Sequence, residues 1–188
     1  MVLPIYLYGN DILRERAEEI DISQAGLKEE IKKLVEDMWE TMSKADGVGL
    51  AAPQVGKSIR LLIVDGSLMG EDSPELADFK RAMINPVVLE ESKETIEYSE
   101  GCLSIPEIHA DVVRPKRIKV AYYDPDFVKH EETFDDFACR MVQHEMSHLD
   151  GVLFTDLTAP IRKKMIQGRL NNIKSGKVRT FYKTVVQK

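Results

Sequence analysis

The sequence predicts an α+β fold in which antiparallel β-sheets pack around a central helix, with a further helix near each end of the chain. One apolar stripe at helical spacing lies near the N-terminus, and a second helix with end signals lies in the last third of the sequence. Between them, short runs rich in β-branched residues alternate with turn residues. Because the chain has 188 residues and 43% hydrophobic residues, we expect one core and a single catalytic domain over residues 1–188.

The first elements are predicted to be a short extended segment, over residues 2–8, and a long amphipathic helix. The helix is indicated by apolar side chains that recur along one face, at Leu27, Ile31, Leu34, Val35, Met38, Trp39 and Met42. We expect Ser23 or Asp21 to cap its start and Gly47 to end it.

The middle of the chain is predicted to form short antiparallel strands. A glycine-rich loop over residues 47–56 leads into a strand over 60–65, and the polar residues 66–78 indicate a surface loop. Further strands are expected over residues 82–89, 94–99 and 118–123, with one more before Glu132.

The second helix carries the residues of greatest chemical interest. Thr133 is expected to cap its start and Gly151 to end it. One face of this helix carries an aromatic residue, a methionine and two histidines, which are Phe137, Met141, His144 and His148. A last helix is expected over residues 158–174, before an extended stretch over 178–186.

Composition argues against membrane and secreted proteins. No apolar run approaches the roughly 20 residues that cross a bilayer, and the first residues lack the basic and small-residue features of a signal peptide. The two cysteines, Cys102 and Cys139, are too few for a disulfide framework. We therefore expect free thiols, a cytoplasmic location and neither a membrane nor a DNA partner.

Charge is distributed unevenly along the chain, although the net charge is only −6. From Leu157 to Lys188 there are nine Lys or Arg residues and no Asp or Glu, so this tail carries +9. The 17 basic residues upstream stand against all 32 acidic ones, which gives −15. A solvated basic helix packed against an acidic body explains the pattern, and so does a contact with a polyanion such as RNA.

Residues 144–148 form the pattern HExxH. His144 and His148 lie one helical turn apart, so both imidazoles can reach a single ion. Glu145 lies about 100° further round the helix, where it can reach a water on that ion without being a ligand. Two core histidines with a surface glutamate are the plainer explanation, but the pattern is uncommon and lies on a buried face.

A catalytic site of this kind needs a third protein ligand, and the residues downstream offer poor choices. No glutamate follows Glu145, and Phe154 stands where the extended zincin pattern has its last histidine. Asp150 points roughly 160° away from His148 around the helix axis. The third ligand is therefore expected upstream.

Three upstream residues are candidates for the third ligand. Cys139 lies roughly 140° off the ligand face and is expected to be a small buried residue. His109 follows a turn at Pro106 among acidic residues and is expected to be exposed. Cys102, between a strand and that turn, could present a thiolate to the helix, and we favour it.

Three segments in this order resemble the signature motifs of the peptide deformylase family. They are GVGLAAPQ at residues 47–54, EGCLS at 100–104 and QHEMSHLDG at 143–151, and the resemblance covers nearly the whole chain. It implies a metal-dependent hydrolase that removes the N-terminal formyl group from the formylmethionine of nascent polypeptides and releases formate. It also implies one divalent ion, Fe(II) in the cell, which Zn, Ni or Co can replace.

Matched motif by motif, the resemblance implies that Cys102, His144 and His148 are the metal ligands and that Glu145 is the catalytic acid and base. It further implies that Gln54 and the backbone of Leu103 complete the catalytic site. Substrate contacts are expected from six further residues, which are Val48, Gly49, Tyr98, Gly101, Phe137 and Met141. Core packing explains the apolar residues of this set nearly as well. Without the resemblance, an ordinary polar loop residue is the favoured explanation of Gln54, and Gly47 and Gly49 could merely end the first helix.

Support for the cysteine loop is expected from an ion pair between Glu100 and Arg114. In the resembled family the C-terminal helix can dock on the ribosome, which would give the basic tail a purpose. The substrates that the resemblance implies are N-formylmethionyl peptides. Two features depart from the family pattern. One is the long loop over residues 66–80, and the other is the pair Ile108-His109, where family members often carry an arginine.

Two competing functions remain. One is a protease that cuts internal peptide bonds, and the other is a non-catalytic metal protein.

Overall fold

The computed structural model describes residues 1–187, so Lys188, the last residue of the predicted domain, lies outside the described residues. The strands are β1 (Ile5–Tyr6), β2 (Gly49–Ala51), β3 (Leu61–Asp65), β4 (Lys80–Glu91), β5 (Thr95–Cys102), β6 (Ile105–Pro115), β7 (Arg117–Tyr123), β8 (Lys129–Asp135) and β9 (Thr184–Val185). The helices are α1 (Leu27–Lys44), α2 (Asp136–Leu149), α3 (Phe154–Leu157) and α4 (Pro160–Lys174).

Three sheets organise the strands. The largest has five antiparallel strands in the order β2-β3-β4-β7-β8. Strands β5 and β6 form a separate antiparallel hairpin, and β1 pairs in parallel with β9, which joins the two ends of the chain. The predicted α+β fold with antiparallel sheets is confirmed.

The five-stranded sheet is buried on both faces at β3, because successive side chains of a strand point to opposite sides. Leu62 and Val64 pack with Met83 and with the buried residues of α2. Leu61 and Ile63, which alternate with them, pack with the apolar stripe of α1. The sheet therefore separates α1 from α2, and α2, covered on nearly every side, is the central helix.

A third apolar cluster holds the β5–β6 hairpin against the C-terminal helix. Ile108 and Val112 of β6 pack with Phe154 of α3 and with Ile166 and Leu170 of α4. All five side chains are at most 1% exposed. Cys102, which ends β5, packs against the same cluster.

The expected cap of α1 is wrong. The residue before its first turn is Gly26, with a φ of 83°, and the Asp21 carboxylate instead accepts hydrogen bonds from the backbone and hydroxyl of Ser23. At the other end the left-handed residue is Asp46, with a φ of 57°, and Gly47 donates its N–H to the carbonyl of Met42. Gly47 therefore follows the left-handed residue that ends the helix.

The expected start of α2 also needs correction, whereas its end is confirmed. Thr133 lies within β8, and Asp135 precedes the first turn of the helix. Gly151, with a φ of 71°, occupies the left-handed position after the helix end, as predicted. The last long helix begins at Pro160 and not at Thr158, whose hydroxyl donates to the carbonyl of Asp111.

Strand β6 is absent from the sequence-based prediction, which expected only a turn at Pro106. Its residues alternate between exposed and buried positions from residue 107 to residue 114. That period of two, visible at Ile108, Ala110 and Val112, is the signal that would have found the strand. Within residues 1–187, each helix is too short or too polar to pass through a lipid bilayer.

Candidate active site

The structure brings Cys102, His144 and His148 together at one point beneath a cavity. One ligand atom from each residue lies within 4.8 Å of the ligand atoms of the other two. The Cys102 sulfur is 3.3 Å from Nε2 of His148, and the two imidazole ring centres are 5.1 Å apart. Within residues 1–187 this is the only group of three or more such side chains that could hold a metal ion.

His144 is oriented by a carboxylate on its far side. Its Nδ1 lies 2.7 Å from Oε1 of Glu100, which is 4% exposed. Since a carboxylate only accepts hydrogen bonds, Nδ1 donates its proton to Glu100 and Nε2 is turned toward the cluster. An imidazole held in this way is ready to bind a cation.

His148 is the most deeply buried residue of the cluster, at 1% exposed. Burial, together with the neighbouring His144, lowers the pKa of His148 well below its usual value, so its ring is neutral. Its Nδ1 has no hydrogen-bond partner among the described residues. A neutral ring is the form that ligates metals.

Glu100 is held by more partners than the sequence predicted. Arg114 donates Nε and Nη2 to its two carboxylate oxygens at 2.8 and 3.0 Å, which gives the expected pair a bidentate geometry. Arg140 of α2 adds a third contact, from Nη1 to Oε2 at 3.0 Å. Burial alone would raise the pKa of Glu100, but the hydrogen bonds from His144 and Arg114 lower it to about 2.

Arg140 was missed by the sequence analysis, although its spacing carried a signal. It lies four residues before His144, so both side chains share one face of α2. Its guanidinium also donates to the carbonyls of Val112 and Ile96, one on each strand of the β5–β6 hairpin. Arg140 therefore ties the hairpin that bears the cysteine to the helix that bears the histidines.

Cys102 is presented to the cluster by an irregularity in the hairpin. The register between β5 and β6 shifts between Glu100 and Cys102, where Gly101 alone stands opposite the four residues 106–109 of β6. A Cβ on Gly101 would lie 2.6 Å from the His109 ring, so His109 packs on Gly101 and is not part of the cluster. Cys139 is fully buried elsewhere, where burial raises the pKa of its thiol to about 12.

Gln54 lies beside the cysteine with its amide fixed. Its Oε1 accepts the backbone N–H of Ala51 at 2.8 Å, so Nε2 must face the other way. There Nε2 donates to the Cys102 sulfur at 3.4 Å and to the hydroxyl of Ser104 at 3.1 Å. At 1% exposed, Gln54 is far from an ordinary loop residue.

Glu145 lies next to the cluster with one oxygen unsatisfied. The residue is 5% exposed, and its Oε2 has no hydrogen-bond partner within residues 1–187. Burial raises the pKa of this carboxyl to about 7. A carboxyl of that acidity can both accept and donate a proton near neutral pH.

Gly49 leaves the room that Glu145 occupies. A Cβ at this position would lie 2.3 Å from Oε1 of Glu145, well inside contact distance. Gly47 makes a similar close approach, since its Cβ would lie 2.7 Å from Cδ1 of Leu103. The glycines of this loop therefore permit close packing around the site.

We predict that Gly49→Ala lowers kcat at least about tenfold and leaves the metal content unchanged, because the new methyl group displaces the Glu145 carboxylate. Gly168→Ala is the matched control, since a Cβ there meets nothing within 4 Å. Steady-state kinetics and metal analysis of both variants measure the effect. A wild-type kcat for Gly49→Ala would show that the carboxylate is not displaced.

A cavity of about 490 Å³ opens above the cluster. Of the residues expected to contact substrate, the ones that line it are Val48, Gly49, Gly101, Phe137 and Met141. Tyr98 is the exception, because it packs edge-to-face behind Phe137 with ring centres 5.6 Å apart. Its expected direct contact is therefore corrected to support of Phe137. Val48, Phe137 and Met141 belong to the apolar cluster between α2 and the sheet.

The cavity is also lined by residues that the sequence analysis did not select. Leu103 lines the cavity as expected, and its carbonyl accepts the hydroxyl of Tyr182 at 2.7 Å. Arg179, Thr180 and Phe181 line the cavity beside Tyr182. These residues lie about 80 positions after the cysteine loop in the sequence, and no local pattern predicts a contact over that separation.

Comparison with protein families gives a match to the polypeptide deformylase model over residues 2–164. A peptide deformylase of Christiangramia forsetii is 41% identical, over 97% of this chain and 95% of that protein. A peptide deformylase of Salinibacter ruber is also 41% identical, over 100% of this chain and 96% of the relative.

Solved structures of peptide deformylases share the fold of this chain. A peptide deformylase of Plasmodium falciparum superposes with a TM-score of 0.81 at 34% identity, covering 92% of this chain and 95% of that one. One from Thermotoga maritima gives a TM-score of 0.75 at 41% identity, covering 85% of this chain and 99% of its own. The similarity thus extends over nearly the full length of each protein.

Proposed function

This chain belongs to the peptide deformylase family, and we propose that Cys102, His144 and His148 hold the divalent ion with which it removes the N-terminal formyl group from nascent polypeptides. The observation that supports this most strongly is the approach of one sulfur and two imidazole nitrogens to within 4.8 Å of one another. We assign the movement of protons to Glu145, and we propose that residues 1–188 act as one catalytic unit.

The residues present fit such an ion. One thiolate and two neutral imidazoles are a donor set that suits Fe, Zn, Ni and Co. The Nδ1–H of His144 is already held by Glu100, so Nε2 is left to ligate. Cys102, His144 and His148 would supply three protein ligands, the number typical of catalytic sites. When bound, the ion supplies Lewis-acid chemistry, which polarises the formyl carbonyl and makes hydroxide available from water near neutral pH.

Glu145 performs the proton transfers of the hydrolysis. Its carboxylate accepts a proton from the water whose oxygen attacks the formyl carbon. It then delivers that proton to the methionine nitrogen as the carbon–nitrogen bond breaks. One water is consumed, and formate and a free amino terminus are released. The unpartnered Oε2 of Glu145, buried beside the cluster, supports this role.

Gln54 and Leu103 are proposed to stabilise the oxyanion. The Gln54 amide is aimed at the cysteine by its hydrogen bond with Ala51, so it is preorganised for this role. The backbone N–H of Leu103, next to the ligand cysteine, is the second donor. The slot for the methionine side chain is proposed to lie between Val48, Phe137 and Met141, which combine cavity lining with an apolar surround.

Formate release from formyl-Met-Ala-Ser, measured beside cleavage of an internally quenched peptide, tests the reaction. We expect formate from the first peptide and no cleavage of the second. The third ligand lies upstream of the HExxH helix and the cavity is lined by the cysteine loop, which favours a formyl group over an internal peptide bond. Cleavage of the quenched peptide without formate release would favour a protease.

Fe(II) is proposed as the ion in the cell, with Zn, Ni or Co able to replace it. The thiolate and imidazole ligands support this group of metals over Mg or Ca, which prefer oxygen ligands. Elemental analysis of protein purified without oxygen identifies the ion. Stoichiometric iron agrees with the proposal, and stoichiometric zinc with no iron contradicts it.

A cytoplasmic location is proposed as well, supported by the two free thiols.

The ribosome is proposed as a partner of helix α4. Its Ile166 and Leu170 face the core, whereas Ile161 and Met165 are 74% and 69% exposed beside the basic residues of the tail. We predict that raising the salt concentration from about 50 to 200 mM weakens ribosome association at least about tenfold, because contacts with RNA phosphates release counterions. Sedimentation with ribosomes measures this, and an association that salt leaves unchanged would rule out an electrostatic contact by the tail.

A further inference from the structure

One wall of the cavity is built by a segment near the end of the chain. We call residues 179–182, Arg179 to Tyr182, the C-terminal wall. These residues follow the range 2–164 that the family model matches. The cavity therefore combines the residues of the family motifs with a stretch of chain that the family model does not describe.

Two contacts hold the C-terminal wall in place. The Tyr182 hydroxyl donates to the carbonyl of Leu103 at 2.7 Å, and burial raises the pKa of this hydroxyl to about 12, so it remains a donor. Strand β9, two residues further on, pairs with β1 in register from Ile5 opposite Thr184. The wall is thereby attached both to the cysteine loop and to the N-terminal strand.

Phe181 is the exposed apolar residue of this wall. Its side chain is 77% exposed, the largest fraction among the exposed large hydrophobic residues of positions 1–187. One edge packs against the Tyr182 ring, with centres 5.2 Å apart and planes at 86°. An aromatic ring that is held at a cavity and open to solvent offers apolar area at little cost in side-chain entropy.

The path of a peptide substrate leads to this wall. With the formyl carbon at the cluster and the methionine side chain between Val48 and Met141, one side of the cavity is filled. That side belongs to the apolar cluster of α2, whereas Leu103 and Tyr182 belong to the cluster of α1. The part of the cavity lined by Leu103 and the C-terminal wall is then left for the residues after the methionine.

We propose that the C-terminal wall binds the residues that follow formylmethionine and that Phe181 selects peptides with large apolar side chains at the second and third positions. This rests on the proposed function, because it takes the formyl group to lie at the Cys102 cluster. Tyr182 is a positioning residue, since it holds Phe181 through Leu103.

The test compares kcat/KM for formyl-Met-Leu-Leu and formyl-Met-Ala-Ser in the metal-loaded enzyme. The wild type is expected to favour the leucine peptide, and Phe181→Ala to reduce the ratio of the two values about tenfold, through lost apolar contact. Phe181→Leu should keep most of the preference. Tyr182→Phe should reduce the ratio by less than Phe181→Ala, because the ring remains and only the hydrogen bond to Leu103 is lost.

Leu68→Ala is the matched control, because Leu68 is 66% exposed and does not line the cavity. Its ratio should equal that of the wild type, and metal analysis should give one ion per chain in every variant. A wild type without preference, or a Phe181→Ala ratio equal to that of the wild type, would overturn the inference. The proposed function fails differently, with no formate from either peptide in the wild type.

Discussion

Glu145→Gln is expected to keep its metal and to lose at least about 10²-fold in turnover, the lower bound for removal of a general acid and base. The amide has nearly the same shape as the carboxylate, so it fits the space beside Gly49. It cannot accept the proton of the attacking water, however, and it cannot return a proton to the leaving nitrogen. The three proposed metal ligands, Cys102, His144 and His148, are unchanged.

Kinetics with formyl-Met-Ala-Ser and elemental analysis of the same preparation measure both parts of this prediction. Glu97→Gln is the matched control, because Glu97 is an exposed glutamate of β5 away from the cavity. It should behave as the wild type. A Glu145→Gln enzyme with wild-type turnover would assign proton transfer to another group, and one without metal would make Glu145 a ligand.

Cys102→Ala is expected to lose both its metal and its activity. Loss of one of three protein ligands should weaken binding by more than the roughly 10- to 100-fold that loss of an outer hydrogen-bond partner costs. The remaining imidazoles of His144 and His148 cannot hold the ion alone at catalytic occupancy. Metal per chain after dialysis against a weak chelator measures the effect.

The variant Cys139→Ala distinguishes the loss of a metal ligand from the loss of a buried thiol. Cys139 is fully buried in the core between α2 and the sheet, so its truncation should reduce stability and leave metal content unchanged. Full metal occupancy in Cys102→Ala, or loss of metal in Cys139→Ala, would show that the sulfur ligand is wrongly assigned.

Local patterns predicted the parts of the fold that depend on local contacts. The apolar stripe of α1 and the face of α2 with His144 and His148 follow from helical spacing. The end of α2 was predicted from the glycine at position 151, which adopts a φ of 71°. The starts of both helices were misplaced, because Gly26 and Asp135 precede the first turns and several nearby polar residues suit a cap equally well.

The sequence predicted the part of the site that its motifs contain. The pairing of Glu100 with Arg114 was expected, and the structure adds Arg140 and His144 around the same carboxylate. Those partners come from α2, and the sequence alone does not say how α2 crosses the β5–β6 hairpin. The C-terminal wall depends on pairing between the two ends of the chain, which has no local signal at all.

X-ray absorption of the zinc-loaded protein tests the central claim most directly, because it counts the atoms around the ion. With Cys102, His144 and His148 as ligands, we expect one sulfur at about 2.3 Å, two nitrogens at about 2.0–2.1 Å and one lighter atom from solvent. A first shell without sulfur, or one closed by four protein ligands, would contradict the account.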